Sequence, residues 1–207
     1  MSPRLGILIS GRGSNLQSIV DAIRRGELQA EIAVVISNRP EAAGLMRARE
    51  AGLETVCLLQ KDYASRDLYD AAVAQLLQSH RVDLVCLAGF MRLVGEPLLK
   101  AFPNRILNIH PSLLPAFPGL DAQKQALEHG VRVAGATVHL VDAELDGGAI
   151  VLQAAVPVLD ADSAESLSAR ILVEEHRLYP RAIALVLASQ WRLVGRRFVV
   201  DAASARA

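Results

Sequence analysis

Through the first half of the chain, short apolar runs alternate with segments of helical pattern. Leu5–Ser10, Glu31–Ser37, Thr55–Leu59 and Asp83–Ala88 are mostly apolar stretches without regular polar alternation. Runs of this kind read as strands buried on both faces, as in a parallel sheet. Between the first two, Asn15–Arg25 carries Leu16, Ile19, Val20 and Ile23 at helical spacing. Ala42–Ala51 ends at Gly52, a helix stop. Asp67–Ser79 sets Leu68, Ala72, Leu76 and Leu77 along one stripe. Strand–helix–strand alternation predicts a right-handed βαβ arrangement with helices on both faces of a mostly parallel sheet, an α/β, Rossmann-like architecture.

The grammar changes after Phe102. Arg105–Ile109 reads as a further strand, followed by a proline-rich loop with Pro111, Pro115 and Pro118. Val133–Val141 and Ala149–Val158 are long strand patterns joined through Asp142–Gly148, and they predict an antiparallel pair. Asp162, with Glu165 three residues on, has the form of a capping box for a last helix running to about Ser189. Trp191–Val200 predicts a short strand, and the tail Ala202–Ala207 is expected to fray. No repeat and no low-complexity linker interrupts the chain, so its 207 residues fit a single domain with two unlike halves.

Composition narrows the function. Lys+Arg and Asp+Glu balance at 22 each, so no global field attracts nucleic acid or an anionic membrane, and an anionic ligand must be held by a local site. Cys57 and Cys86 lie in apolar runs and read as buried thiols. No metal-ligand spacing is present. The N-terminal apolar stretch is too short for a secretory signal or a membrane span, which predicts a cytoplasmic protein.

Ser10-Gly11-Arg12-Gly13-Ser14-Asn15 lies between the first strand and the first helix. Glycines there let backbone N–H groups approach an anion. A dinucleotide fingerprint would need glycine where Leu16 stands, and no Gly-Lys-Ser/Thr ending marks a P-loop. The loop therefore reads equally as a phosphate cradle and as a plain turn with Asn15 as helix cap.

Asn108 and His110 are two apart at a strand end, so their side chains share a face while Leu107 and Ile109 point to the other. Pro111 then ends regular pairing. A carboxamide and an imidazole side by side at the C-terminal edge of a strand suit acyl transfer. Asn108 can donate to a developing oxyanion, and His110 can donate likewise or move the proton of an attacking amine. No serine or cysteine motif points to a covalent nucleophile. Asp146, followed by Gly147 and Gly148, can turn back towards His110 and favour its cation, although Asp-Gly is equally a turn signal. His139, a lone strand histidine, reads as structural more readily than as a ligand contact.

Four segments in this order, SGRGSN, LAGFMRLV, ILNIHPSLLPAFPG and ELDGG, resemble the phosphoribosylglycinamide formyltransferases, folate-dependent enzymes of purine biosynthesis. The likeness runs from about Leu5 to Ser189. It implies a nucleotide-binding half of about residues 1–104 and a catalytic, folate-binding half of about 105–190. It implies 10-formyltetrahydrofolate as co-substrate, glycinamide ribonucleotide as acceptor, no metal, and a monomer or homodimer. Asn108, His110 and Asp146 match the catalytic trio, and Gly13, Ser14 and Asn15 the ribonucleotide phosphate loop. Arg66, Met91, Arg92, Leu93 and Val94 match folate contacts, as do Asn108 and the loop Asp142, Ala143, Glu144, Leu145 and Asp146. Leu172, Val173, Glu174 and Glu175 match the ribonucleotide site. A cis peptide at Leu114–Pro115 is also implied. Asp121 departs from the histidine usual in that loop, and a pairing with Arg12 or Lys124 is expected instead.

Rival readings differ in particulars. Methionyl-tRNA formyltransferases share the Asn-x-His and Asp chemistry, but they carry a further RNA-binding domain and read Arg-Gly near Phe117-Pro118-Gly119. A formyltetrahydrofolate hydrolase has a regulatory domain before its first strand, which here begins by Leu5. An amino-sugar nucleotide is another acceptor for this chemistry. A non-catalytic nucleotide-binding module would keep SGRGSN and have no need of Asn108, His110 and Asp146 together.

Overall fold

A computed structural model describes residues 2–201; the tail Ala202–Ala207, expected to fray, lies outside the described residues. The chain divides into two compact units, Met1–Asn108 and Ile109–Ala207.

The first unit is built on β1 (Arg4–Ile9), β2 (Glu31–Ser37), β3 (Thr55–Cys57), β4 (Leu84–Leu87) and β5 (Ile106–His110), whose last two residues begin the second unit. These strands are hydrogen-bonded in the order β3-β2-β1-β4-β5, and every pairing is parallel. The apolar runs explain the arrangement. Leu5, Ile7, Leu8 and Ile9 of β1 and Val34, Val35 and Ile36 of β2 are fully buried, which suits strands covered on both faces. The covering helices are α1 (Ser14–Arg24), α2 (Ala43–Glu50), α3 (Arg66–Ser79) and α4 (Glu96–Ala101). α1 buries Leu16, Ile19 and Val20, the stripe its spacing predicts. Ser65 caps α3 by accepting from the Leu68 N–H at 3.2 Å. β3 is shorter than predicted, because Leu58 and Leu59 lead into a 3-10 turn at Gln60–Asp62.

The second unit contains α5 (Ala122–Glu128), β6 (Val133–Leu140), β7 (Ile150–Pro157), α6 (Ala164–Ala188), β8 (Trp191–Val194) and β9 (Arg197–Val200). β6 and β7 form the expected antiparallel pair, with a register shift between Val138 and His139. α6 packs against both. Its cap differs from expectation by one residue. Ser163, not Asp162, is the N-cap, and its box partner is Ser166 rather than Glu165. Asp162 instead accepts from the Leu159 N–H, Ser166 and Arg170, which keep its carboxyl far below the ordinary range. The segment 191–200, expected as one strand, is a hairpin of β8 and β9 turning at Gly195-Arg196, where Gly195 has φ 59°. That left-handed residue lets a two-residue turn match the strand twist.

Candidate active site

The glycine loop is shaped by packing on α2. Gly13 has φ 73°, and a Cβ there would come within 2.5 Å of the Gly44 Cα, so no other residue fits. Gly44 N–H donates to the Gly11 carbonyl at 2.9 Å, and the Arg47 guanidinium donates to the Arg12 carbonyl at 3.0 Å. The Gly11 and Arg12 carbonyls are thus committed to α2. Gly13 is the N-cap of α1 and no side chain caps it. Asn15, one of the two readings of this loop having made it the cap, lies inside the first turn and is buried. Ser14 is half-buried. Uncapped N–H groups at a helix start are a ready anion site.

The stretch after β4 is tied to the same loop. Ser10 N–H donates to the Gly89 carbonyl at 3.0 Å, and Met91 N–H donates to Ser10 Oγ at 2.8 Å. Met91 and Leu93 are left exposed, while Arg92 and Val94 are half-buried. The Arg92 guanidinium lies 4.5 Å from the centre of the Tyr69 ring and donates to Gln60. Gly95 N–H donates to the buried Asp70 carboxylate at 2.6 Å, and Arg66 Nε is 3.8 Å from the same oxygen. Burial pushes the Asp70 carboxyl up, against the pull of the Gly95 N–H, Arg66 and Arg92. Arg66 is therefore more than a solvated charge at a helix start.

In the second unit, β5 delivers His110 into a buried position. Its Nδ1 is 3.4 Å from Asp146 Oδ2, and its Nε2 is 2.9 Å from the Phe117 carbonyl oxygen. His139 faces the other carboxylate oxygen, with Nε2 3.6 Å from Asp146 Oδ1 and Nδ1 3.0 Å from the Leu140 carbonyl oxygen. Gly119 N–H donates to Asp146 Oδ2 at 2.8 Å. Burial pushes the Asp146 carboxyl up, but the facing His139, the Gly119 N–H and the nearby His110 outweigh it, and the carboxyl lies below its ordinary value. Asp146 holds φ 50°, a region a short polar side chain tolerates. Gly148 completes the turn, since any Cβ there would overlap the Leu140 carbonyl oxygen.

The proline loop is fixed from β6 and β7. Thr137 Oγ1 donates to the Ser112 carbonyl at 2.7 Å and accepts from the Leu114 N–H at 3.0 Å. Gln153 donates to the Leu114 carbonyl and to Thr137, each at 2.9 Å. The Leu114–Pro115 bond is cis. Asp121 sits at φ 54° before α5 and is exposed. It does not take Lys124, which pairs with Glu128 at 3.7 Å. In the loop after β6, Asp142, Ala143, Glu144 and Leu145 are exposed, and the Glu144 N–H donates to Asp142 Oδ1 at 2.9 Å. On α6, Leu172 is half-buried, Val173 is exposed, and Glu174 pairs with Arg177 at 2.8 Å. Glu175 is buried.

Sequence reasoning missed Ser10, Asp70, Thr137 and Gln153. One signal was available: Thr137 and His139 are polar residues two apart within an apolar strand, and both are buried. Among the described residues, no group of three or more His, Cys, Asp or Glu side chains is placed to hold a metal ion, and no helix is long and apolar enough to cross a membrane.

Residues 3–183 match the formyl transferase family. The chain is 50% identical over 186 residues to the trifunctional purine biosynthetic protein adenosine-3 of Drosophila melanogaster, covering 89% of this chain but only 14% of that much longer protein. It is 44% identical over 178 residues to phosphoribosylglycinamide formyltransferase of Escherichia coli (strain K12), covering 86% of this chain and 84% of that one. The crystal structure of glycinamide ribonucleotide transformylase 1 from Symbiobacterium toebii superposes with a TM-score of 0.95 at 59% identity, covering 96% and 94% of the two chains. A strand ending in Asn108 and His110, a buried carboxylate turned onto that histidine, and likeness over nearly the whole chain together lead to one assignment: this protein belongs to the formyl transferase family, in the branch of the phosphoribosylglycinamide formyltransferases.

Proposed function

We propose that the chain transfers the formyl group of 10-formyltetrahydrofolate to the amine of glycinamide ribonucleotide, giving N-formylglycinamide ribonucleotide and tetrahydrofolate, as a cytoplasmic step of purine synthesis. The observation that carries this reading is the Asp146 carboxylate set 3.4 Å from His110 at the end of the strand that holds Asn108. The identity with phosphoribosylglycinamide formyltransferases over most of the chain supports the choice of acceptor.

In this reading the uncapped start of α1, with Gly13, Ser14 and Asn15, takes the ribonucleotide phosphate. Leu172, Val173, Glu174 and Glu175 border the rest of that substrate. The folate lies along Met91, Arg92, Leu93 and Val94, with Arg66, Asn108 and the loop Asp142–Asp146. A flat heterocycle suits an apolar slot edged by backbone groups.

The reaction proceeds by direct attack. The neutral amine nitrogen bonds to the formyl carbon, the carbonyl electrons move onto oxygen, and the bond to folate N10 then breaks as a proton passes from the amine to N10. Asn108 donates to the oxyanion, and His110 donates to it as a cation. Both ring nitrogens of His110 face acceptors, an arrangement that the doubly protonated ring fills with two donors. For the Nε2 proton to reach the formyl oxygen, the Phe117 carbonyl must give up its bond. Incubation with 10-formyltetrahydrofolate and a panel of acceptors tests the reading: glycinamide ribonucleotide, methionyl-tRNA, an amino-sugar nucleotide and water. Formyl transfer to glycinamide ribonucleotide above all others is expected, and preference for any other acceptor overturns the assignment.

A further inference from the structure

The loop from Asp142 to Gly148 must hold Asp146 on two histidines, yet it has few bonds of its own. Glu144 N–H donates to Asp142, and Gly147 N–H donates to the Glu144 carbonyl at 3.2 Å. Its residues from Asp142 to Leu145 are exposed. Asp146 itself is met by the Gly119 N–H, His110 and His139, and further ties come from another element. Arg196, at the tip of the β8–β9 hairpin, places Nη1 3.3 Å from Glu144 Oε2 and donates from Nη2 to the Gly147 carbonyl. One guanidinium thus grips both limbs of the loop, two residues before Asp146 and one after it.

The hairpin is itself anchored. Trp191 Nε1 donates to the Val186 carbonyl near the end of α6 at 3.1 Å, and its ring packs on Phe198 at 4.8 Å between centres. β9 pairs with β7 at Ile150 and Arg197, immediately beside both the loop's last residues and Arg196. The strap is therefore fixed at its base and reaches the loop through the Arg196 side chain. A planar fork carries two hydrogen bonds in one fixed geometry, which a lysine cannot reproduce.

We propose that Arg196 is a positioning residue for the transfer: it holds the Asp142–Gly148 loop so that Asp146 stays on His110 and the loop stays in place against the folate. The proposal rests on the formyltransferase reading above and adds a function for the C-terminal hairpin. Arg196 is largely exposed, as is Glu144, and an ordinary surface pair of this kind changes an equilibrium at most about fivefold. The expected effect is of that size and confined to the loop.

The test compares Arg196→Ala, Arg196→Lys and Arg192→Ala in the full chain. Arg192 removes the same charge from the same hairpin, but its partner is Asp201, away from the loop. Arg196→Ala is expected to lower kcat/KM for 10-formyltetrahydrofolate by up to about fivefold in total, shared between a lower kcat and a higher KM for that substrate, with KM for glycinamide ribonucleotide unchanged. Arg196→Lys should recover part of the loss, and Arg192→Ala should match the wild type. Amide hydrogen exchange should quicken at residues 143–148 of Arg196→Ala and stay unchanged in β6 and α6. Unchanged kinetics, an equal loss in Arg192→Ala, or an equal rise in both KM values would overturn the proposal. Absence of formyl transfer in the wild type would refute the functional reading alone. The exchange measurement would then still decide for or against Arg196 as the strap.

Discussion

His139 Nε2 lies 3.6 Å from Asp146 Oδ1, the carboxylate oxygen that does not face His110. One buried carboxylate thus serves two imidazoles, and each ring turns its second nitrogen to a backbone carbonyl, Leu140 for His139 and Phe117 for His110. His139 stands one step back from the proposed reacting atoms, so its part is to fix Asp146. His139→Gln is expected to lower turnover several-fold, well short of the roughly hundredfold loss typical of a group that handles the proton itself. Steady-state kinetics decide this, and a loss beyond a hundredfold would move His139 into the reaction.

The same carboxylate gives a pH dependence of stability. Asp146 has its carboxyl below the ordinary value in the folded chain, whereas an unfolded aspartate titrates at about 3.9. The native state therefore binds fewer protons than the unfolded chain in the interval between. The stabilisation is fully present above about pH 4 and is lost as pH falls through the lowered native value. The difference in denaturant midpoint between wild type and Asp146→Asn should shrink as pH falls below about 4. A gap that did not shrink below about pH 4 would contradict the ionised state of Asp146.

Gly95 cannot carry a side chain without disturbing Asp70, because a Cβ would sit 2.5 Å from Asp70 Oδ2. The Gly95 N–H bond to that oxygen anchors the end of the 91–94 stretch. Gly95→Ala is expected to destabilise the fold by about 1–3 kcal/mol, the range for overpacking a tight site. It should also weaken folate binding more than ribonucleotide binding. Urea unfolding and separate titrations of the two ligands check both parts, and equal weakening would remove Met91–Val94 from the folate slot.

Replacing Ser14 and Asn15 together with alanine should weaken ribonucleotide binding by roughly ten- to a hundredfold, the scale of lost hydrogen bonds to a charged group. Folate binding should be nearly intact. Asn15 is buried, so the Ser14→Ala single variant supplies the control in which the fold is least disturbed. Equal loss of both ligands, or of neither, would take the phosphate away from this loop.

The parallel strands were legible because each is an apolar run covered on both faces, and β1 from Leu5 to Ile9 is entirely buried. Asn108 and His110 were legible because the strand period alone places them on one face. The Asp146 turn was legible only as one of two readings, since Asp-Gly marks a hairpin as readily as a site. Other features were hidden for definable reasons. α4 has six residues, too few for a helical period to show, and its start is set by Pro97. The α6 cap went to Ser163 rather than Asp162 because Arg170 claims the aspartate. The Asp70–Gly95 and Arg196–Glu144 ties join residues far apart in sequence, and no local pattern announces either. His139 looks structural in isolation, and only the fold shows that its ring turns to Asp146.

The unity of His110 and Asp146 is the central expectation. Asp146→Asn leaves the shape of the loop and the Gly119 contact feasible but removes the negative charge beside His110. If that charge holds the ring as a cation, ground-state binding of both substrates should be nearly unchanged, while turnover falls by roughly a hundredfold or more. His110→Ala should lose a comparable amount. Groups that act as one unit lose their function once, so the double variant should be scarcely slower than either single one. Steady-state kinetics of the two single variants and the double variant separate this from a structural account. Losses that multiplied in the double variant would mean that Asp146 shapes the loop and that His110 works without it.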